Sequence, residues 1–224
     1  MDTKTIILVL EALQPAVVPL VAAFLGAWLA FRLEDNARAR QNVREQVAAV
    51  NKALFVLVRQ VNSLIVIQTQ IIKPYREDPN RYINMRPSLP IGSGSPTLDL
   101  DSLSFLLETD DRELLGELLV EQERFEASLQ AINERSRYHL EVLQPRMAAA
   151  RIGEHAEYPT DKIRSVLGES FVVLMQCATD DAIQHVDKTV GSNFALAAKF
   201  NHAMKRRFPK HTIIRLAPKE PSNK

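Results

Sequence analysis

The residues that come closest to a catalytic arrangement are Cys177, Asp181 and His185, which follow one another at intervals of four. A thiol, a carboxylate and an imidazole can together form an activated nucleophile. All three lie on one predicted helix, however, and neighbouring turns of one helix rarely converge on a single substrate atom. Cys177 also shares an apolar helical pattern with Phe171 and Leu174. We therefore predict a small core residue at Cys177 rather than a nucleophile.

Other catalytic and metal-binding patterns are absent from the sequence. The five histidines match no metal-binding motif, and a single cysteine excludes an internal disulfide. The chain contains neither a glycine-rich phosphate-binding loop nor a Gly-x-Ser-x-Gly motif. With seven glycines in 224 residues, few rigid loops are available for catalysis. We expect a protein that is not an enzyme and that has no metal and no cofactor.

Glu11 is of interest because it interrupts an apolar run that covers residues 6–31. Residues 12–31 carry no charge, and a bilayer core of about 30 Å requires about 20 apolar residues in a helix. We predict a single transmembrane helix at residues 6–31, within an anchor of residues 1–32. A buried core helix and a cleaved signal peptide are the alternatives, and the long uncharged run argues against both. Glu11 is either a functional intramembrane carboxylate or, as we favour, a residue at the outer headgroups.

The charges that flank the predicted span indicate its orientation. Four arginines follow it within residues 32–44, whereas Lys4 alone precedes it. Positively charged flanks remain in the cytoplasm. We therefore predict a plasma (inner) membrane protein of bacterial type, with a short N-terminus outside and the remainder cytoplasmic. Trp28 and Arg32 are the expected interface anchors.

A stripe of small residues lies within the predicted span. Ala22, Gly26 and Ala30 follow one another at intervals of four, which places them on one face of a helix. Such a face lets two helix backbones approach closely in lipid. We predict that the spans associate through this face and that the protein is a homo-oligomer.

The remaining chain predicts an all-α fold, an antiparallel bundle of long helices with coiled-coil-like packing. Residues 33–73 form the first cytoplasmic helix, with an apolar heptad seam that includes Val50, Leu54 and Leu57. Phe55 and Val66 widen the seam and predict packing against several neighbours. Residues 74–101, rich in proline and named the strap below, should contain no helix. Residues 102–208 form the second and third helices, and residues 209–224 a basic tail.

The charged face of the second helix is expected to be solvated, because charged residues are typical of an exposed bundle face. These residues are Glu117, Glu121, Glu123, Arg124, Glu126, Glu134, Arg135 and Arg137. We expect the helix to end at Pro145 and the third helix to bend at Gly191. In this path the first helix leaves the membrane, the second returns and the third leaves again. The basic tail would then lie far from lipid.

Two basic segments are candidate docking sites for a partner. The strap contributes Tyr75, Arg76, Arg81 and Tyr82, which can bind a protein or stack on bases, unless the strap packs down over the bundle. The basic tail region contributes Lys205, Arg206 and Arg207, unless it is a solvated terminus. A cytoplasmic protein is the expected partner, besides the lipid bilayer, and nucleic acid is not favoured.

The sequence as a whole favours a single-pass membrane-anchored helical adaptor or sensor that oligomerises and docks a partner protein. The alternative is a membrane effector, of the toxin or phage-defence type. In that case the oligomerised spans, with Glu11, would form a pore or perturb the bilayer.

Overall fold

The computed structural model describes the backbone of residues 3–90, 94–152 and 160–214, and the side chains of residues 21–90, 94–152 and 162–214. Every regular element in these ranges is helical. The chain divides into two compact units, Met1–Gln46 and Val47–Lys224. The second unit is called the bundle below.

Helix α1 covers Thr3–Ile67 and contributes to both units. A π-helical turn at Gln68–Ile72 and a 3₁₀ turn at Lys73–Tyr75 follow it. The predicted heptad seam is buried from Val50 to Leu64. Phe55 and Val66, which were expected to widen the packing, are instead exposed. They lie on the outer side of the helix, away from the seam.

The remaining elements are helix α2 (Arg81–Asn84), a 3₁₀ helix (Asp101–Glu108), α3 (Glu113–Tyr138), a π-helical turn (His139–Leu143), α4 (Gln144–Ala149), α5 (Thr160–Leu167) and α6 (Glu169–Arg207). Two predicted boundaries are wrong. The strap contains the one-turn helix α2, and Pro145 lies in the first turn of α4, where proline is tolerated, instead of ending the helix.

The path of the chain through the bundle also differs from the prediction. The strap runs back along the bundle, because Ser88 contacts Ser136 whereas Asp99 pairs with Lys52. As a result α3 runs parallel to α1, with Gln60 of α1 bonded to Gln122 of α3. Helix α6 is antiparallel to both.

One apolar core joins the three long helices and the strap. Its buried members include Leu64, Phe125, Ile132, Ala182 and Met85, each at most 1 % exposed. Burying a leucine, isoleucine, phenylalanine or methionine side chain contributes roughly 1.5–3 kcal/mol. This core therefore helps to hold the strap and α6 against α1 and α3.

The third predicted helix breaks at Gly168 and not at Gly191. Gly168 separates α5 from α6 with a φ of 82°, a conformation that strains any residue with a Cβ. Gly191 lies inside α6, and a Cβ built there would have no neighbouring atom within 4 Å. Gly191 therefore weakens the helix without serving the fold.

These two glycines predict opposite effects of the same substitution. Gly191→Ala should raise the free energy of unfolding by about 0.5–1 kcal/mol, because alanine is the better helix former. Gly168→Ala should lower it by about 1–2 kcal/mol, because alanine is strained at positive φ. Urea unfolding of the full chain in detergent, followed by circular dichroism, measures both. Equal effects of the two substitutions would contradict the placement of the helix break.

Candidate membrane anchor and strap junctions

The described N-terminal part of α1 is apolar and exposed on all its faces. All residues from 21 to 42 are exposed. The large apolar ones are Val21, Phe24, Leu25, Trp28, Leu29, Phe31 and Leu33, and Arg32 is the single charged residue among residues 21–33. A helix that is hydrophobic on every side requires an apolar environment around it. We call residues 21–33 the apolar band.

One helix in the described part of the chain, within Val21–Tyr75, is long and apolar enough to cross a membrane. Its most hydropathic window is half buried. That window must lie in the bundle, because residues 21–42 are exposed throughout. Helix α1 thus has two apolar segments, one covered by the bundle and one uncovered. Only the uncovered segment is a candidate anchor.

The predicted interface anchors lie at the end of the apolar band. The guanidinium of Arg32 lies over the Trp28 ring, 5.2 Å from its centroid. Arg38 then pairs with Glu34 at 2.6 Å, both side chains being exposed. An aromatic ring followed by charged residues on one helix matches the boundary between hydrocarbon and headgroups.

The predicted association stripe lies on this exposed segment. Ala22, Gly26 and Ala30 are all exposed, and a Cβ at Gly26 would have no neighbour within 4 Å. The face is therefore open to another helix. Glu11 and the first part of the predicted span lie outside the residues whose side chains are described.

The four candidate partner-binding residues of the strap are engaged within the bundle. Arg76 donates to both carboxylate oxygens of Asp187, at 2.7 and 2.8 Å, and Arg81 donates to Asp180 at 2.9 and 3.0 Å. Tyr82 is 3 % exposed, and Tyr75 is partly buried against the apolar core that contains Leu64 and Phe125. These contacts fasten the strap to α6, as expected for a strap packed over the bundle.

The hydrogen bonds from Arg76 lower the pKa of Asp187. Gln68 adds a further bond to the same carboxylate, at 2.7 Å. A carboxyl whose folded pKa lies below its unfolded value stabilises the fold above the unfolded pKa. This contribution is lost as the pH falls through the folded pKa.

Two charges of α3 that were predicted to be solvated are buried. Arg135 is 1 % exposed, and its guanidinium donates to the backbone carbonyls of Met85 and Arg86 in the strap. Burial lowers the pKa of Arg135 to about 10. Glu121 is 2 % exposed and accepts from Ser192 at 2.8 Å, and burial raises its pKa. The prediction of one solvated face is wrong at these positions, because the strap and α6 cover them.

A buried polar layer joins all parts of the bundle. Gln60 donates to Gln122 at 2.7 Å and to the carbonyl of Pro96 at 3.0 Å, and it accepts from Asn193 at 3.2 Å. Gln122 also accepts from the Leu98 amide at 3.1 Å. Because burying an unpaired amide is costly, the layer favours one register of α1, α3, α6 and the strap. The glutamine and asparagine spacing gave no signal of this layer in the sequence.

The basic residues near the C-terminus lie at the end of the bundle where α1 enters it. Asn51 of α1 bonds the backbone of Thr212 and Ile214, at 3.1 and 2.9 Å, which places the segment after α6. Arg206 lies 3.4 Å from Asp111, Arg207 lies over the rings of Phe105 and Phe208, and Lys205 is half-buried. The predicted path, in which the second helix returns along the first, is wrong because α3 runs parallel to α1.

The described residues contain no group of three or more histidine, cysteine, aspartate or glutamate side chains that could hold a metal ion. Cys177 is exposed, which corrects its predicted core position. It lies outside the buried face of α6, which runs through Met175, Thr179 and Ala182.

No protein-family model, curated protein or solved structure matches this chain. Its function must therefore be argued from the anchor segment and the bundle.

The ion pair between Arg76 and Asp187 predicts an acid-dependent contribution to stability. Asp187→Asn should lower the free energy of unfolding by about 1 kcal/mol at pH 7, since the pair is only partly buried. The difference from the wild type should begin to shrink as the pH falls below about 4, near the unfolded pKa, and should vanish once the pH is below the lowered folded pKa. Urea unfolding between pH 3 and 7 measures it, with Asp181→Asn on the exposed side of α6 as the control. A difference independent of pH would contradict the assigned role of the pair.

Proposed function

We propose that this chain is a single-pass membrane-anchored helical adaptor, whose cytoplasmic bundle docks a partner protein and assembles with copies of itself. The observation that carries the proposal is the apolar band, which is exposed on every face and ends at the Trp28 and Arg32 pair. In water such a band would be a large apolar patch. In a bilayer it forms the inner part of the predicted span at residues 6–31.

The orientation rests on the charges that follow the band. Arg32, Arg38, Arg40 and Arg44 are exposed on the C-terminal side of the span. Because positive flanks remain in the cytoplasm, the bundle is cytoplasmic in this proposal. The open face of Ala22, Gly26 and Ala30 supports association of the spans.

The anchor is tested by placing charge in the band. The double substitution Leu25→Arg and Leu29→Arg should move the protein from the membrane to the soluble fraction, because each arginine costs roughly 2.5–3.5 kcal/mol in a span. Flotation of cell membranes after carbonate extraction measures the shift. The matched control is Leu89→Arg, at an exposed leucine of the strap. Recovery of the wild-type chain in the soluble fraction would overturn the proposal, and depolarisation of cells on overexpression would favour the effector alternative.

The partner-docking surface in this proposal is a groove of about 690 Å³ between the strap and the C-terminal half of α3. Its lining includes Glu126, Glu134 and Glu141, whereas its arginine, Arg137, is already paired with Glu134 and Glu141. Leu89 is 84 % exposed beside lining residues Ser88 and Pro90. A basic protein segment with one apolar side chain has the chemistry that this groove would accept.

The groove is tested with point substitutions, because deleting the strap would remove Met85 and Tyr82 from the core. Glu141→Lys combined with Leu89→Ser should remove a protein that is cross-linked to the wild type in membranes, while the melting temperature changes little because both side chains are exposed. Glu77→Lys, at an exposed strap residue outside the groove lining, is the control. Quantitative mass spectrometry of the cross-linked material measures the loss. Equal recovery with both variants would exclude the groove as the docking site.

A further inference from the structure

The outer side of α1 in the bundle carries apolar and basic residues without acidic ones. Phe55 and Val66 are 55 % and 49 % exposed, and Arg59 and Asn62 lie between them at helical spacing. No aspartate or glutamate occurs between Glu45 and Glu77. We call Phe55, Arg59, Asn62 and Val66 the α1 face. Its chemistry suits an apolar surface that carries negative charge.

The N-terminal half of α3 offers such a surface on another side of the bundle. Leu119 and Val120 are each 44 % exposed, and Glu123 is exposed one turn further along. Gly116 precedes them, and a Cβ there would have no neighbour within 4 Å. Gly116 and Val120 also line a groove of about 650 Å³ between α3 and α6. We call Gly116, Leu119, Val120 and Glu123 the α3 face.

We propose that the α1 face of one copy docks on the α3 face of a second copy. Arg59 would meet Glu123, and the ring of Phe55 would enter the notch at Gly116. Within the described part of the chain, neither Arg59 nor Glu123 belongs to an ion pair, so both charges are available. Pairing two α1 faces would instead oppose arginine to arginine, and pairing two α3 faces would oppose glutamate to glutamate. Charge complementarity therefore selects the mixed contact.

The register of the bundle brings these groups to matching heights. Gln60 contacts Gln122, and α1 and α3 run in the same direction. A residue of α1 therefore lies level with the α3 residue 62 positions later, as Gln122 follows Gln60. Phe55 is level with Glu117, beside Gly116. Arg59 is level with Glu121, which is two residues or about 3 Å from Glu123 along the helix.

Identical copies anchored in one membrane hold their bundles at the same height, and this step rests on the proposed function. When two copies form this contact, one α1 face and one α3 face of the pair remain free. Further copies can then add at both ends, until a ring closes or a row forms. Repetition of this one contact is thus sufficient to assemble copies side by side, and no second type of contact is needed.

Disulfide trapping in membranes tests the contact directly. The full chain would carry Phe55→Cys and Gly116→Cys, with Cys177→Ser to remove the native thiol, and would be oxidised with copper phenanthroline. A disulfide requires Cα atoms within about 7 Å, and one formed within a single chain would not raise the mass, so a ladder reports contacts between copies. We expect a ladder of dimers, trimers and larger species from the pair, and none from either cysteine alone. Dimers from Phe55→Cys alone, or the absence of a ladder, would overturn the proposal.

Charge reversal in the same double-cysteine chain tests the role of Arg59 and Glu123. Arg59→Glu and Glu123→Arg should each reduce the ladder about tenfold, because each opposes like charges at the contact. Co-expression of the two single variants should restore it, since each then offers the opposite charge to its neighbour. Lys188→Glu, an equal charge change on an exposed part of α6, should have no effect. Failure of the mixture to restore the ladder would overturn the ion pair.

The two proposals can fail separately. Membrane flotation is measured on every sample used for trapping. A chain that floats with membranes without a ladder would overturn the copy-to-copy contact and keep the anchor. A chain that forms the ladder in the soluble fraction would overturn the anchor and keep the contact.

Discussion

The fold of this protein depends on helix α1, which has two apolar segments, of which the bundle covers only one. In α1, the seam from Val50 to Leu64 is covered by α3, α6 and the strap, whereas the apolar band at residues 21–33 is exposed on all sides. Removing apolar surface from water is the main favourable term in folding, and lipid removes it as effectively as a protein core does. One apolar segment of α1 can therefore be removed from water by the bundle, and the other by a bilayer.

The strap is the element that makes the bundle unusual, because it holds its place mainly through side chains. Its described residues contain only one turn of α-helix, so few of their backbone groups pair within a regular element. Arg135 and the Gln60 layer supply donors and an acceptor to this backbone from the neighbouring helices. Burying them is costly unless every bond forms together. A shift of the strap along the helices would break several of these hydrogen bonds at once. The polar contacts therefore determine the position of the strap, and the apolar core stabilises it.

The sequence predicted the helices better than their arrangement. The spacing of Val50, Leu54 and Leu57 reports directly which side of α1 is buried, since periodicity reflects burial. No local pattern reports that a strap covers Arg135 or that α6 covers Glu121, because charged residues there look like those of any solvated face. The sequence also contains no local pattern that indicates the direction of α3 relative to α1. The proposed anchor can be predicted from composition, whereas the proposed docking groove and contact between copies depend on a three-dimensional arrangement that composition does not encode.

The parallel direction of α3 follows from the length of the strap and has a consequence for assembly. A short loop after α1 would make the next helix antiparallel to α1. A parallel helix requires a connection that first runs back along the bundle by the length of α3, about 39 Å. Residues 74–101, extended at about 3.3 Å each, can cover that distance. In an antiparallel arrangement of the same helices, Gly116 near the start of α3 would lie toward the end of the bundle opposite Phe55. The long strap places Phe55 and Gly116 at nearly the same height, which is the register that the proposed contact between copies requires.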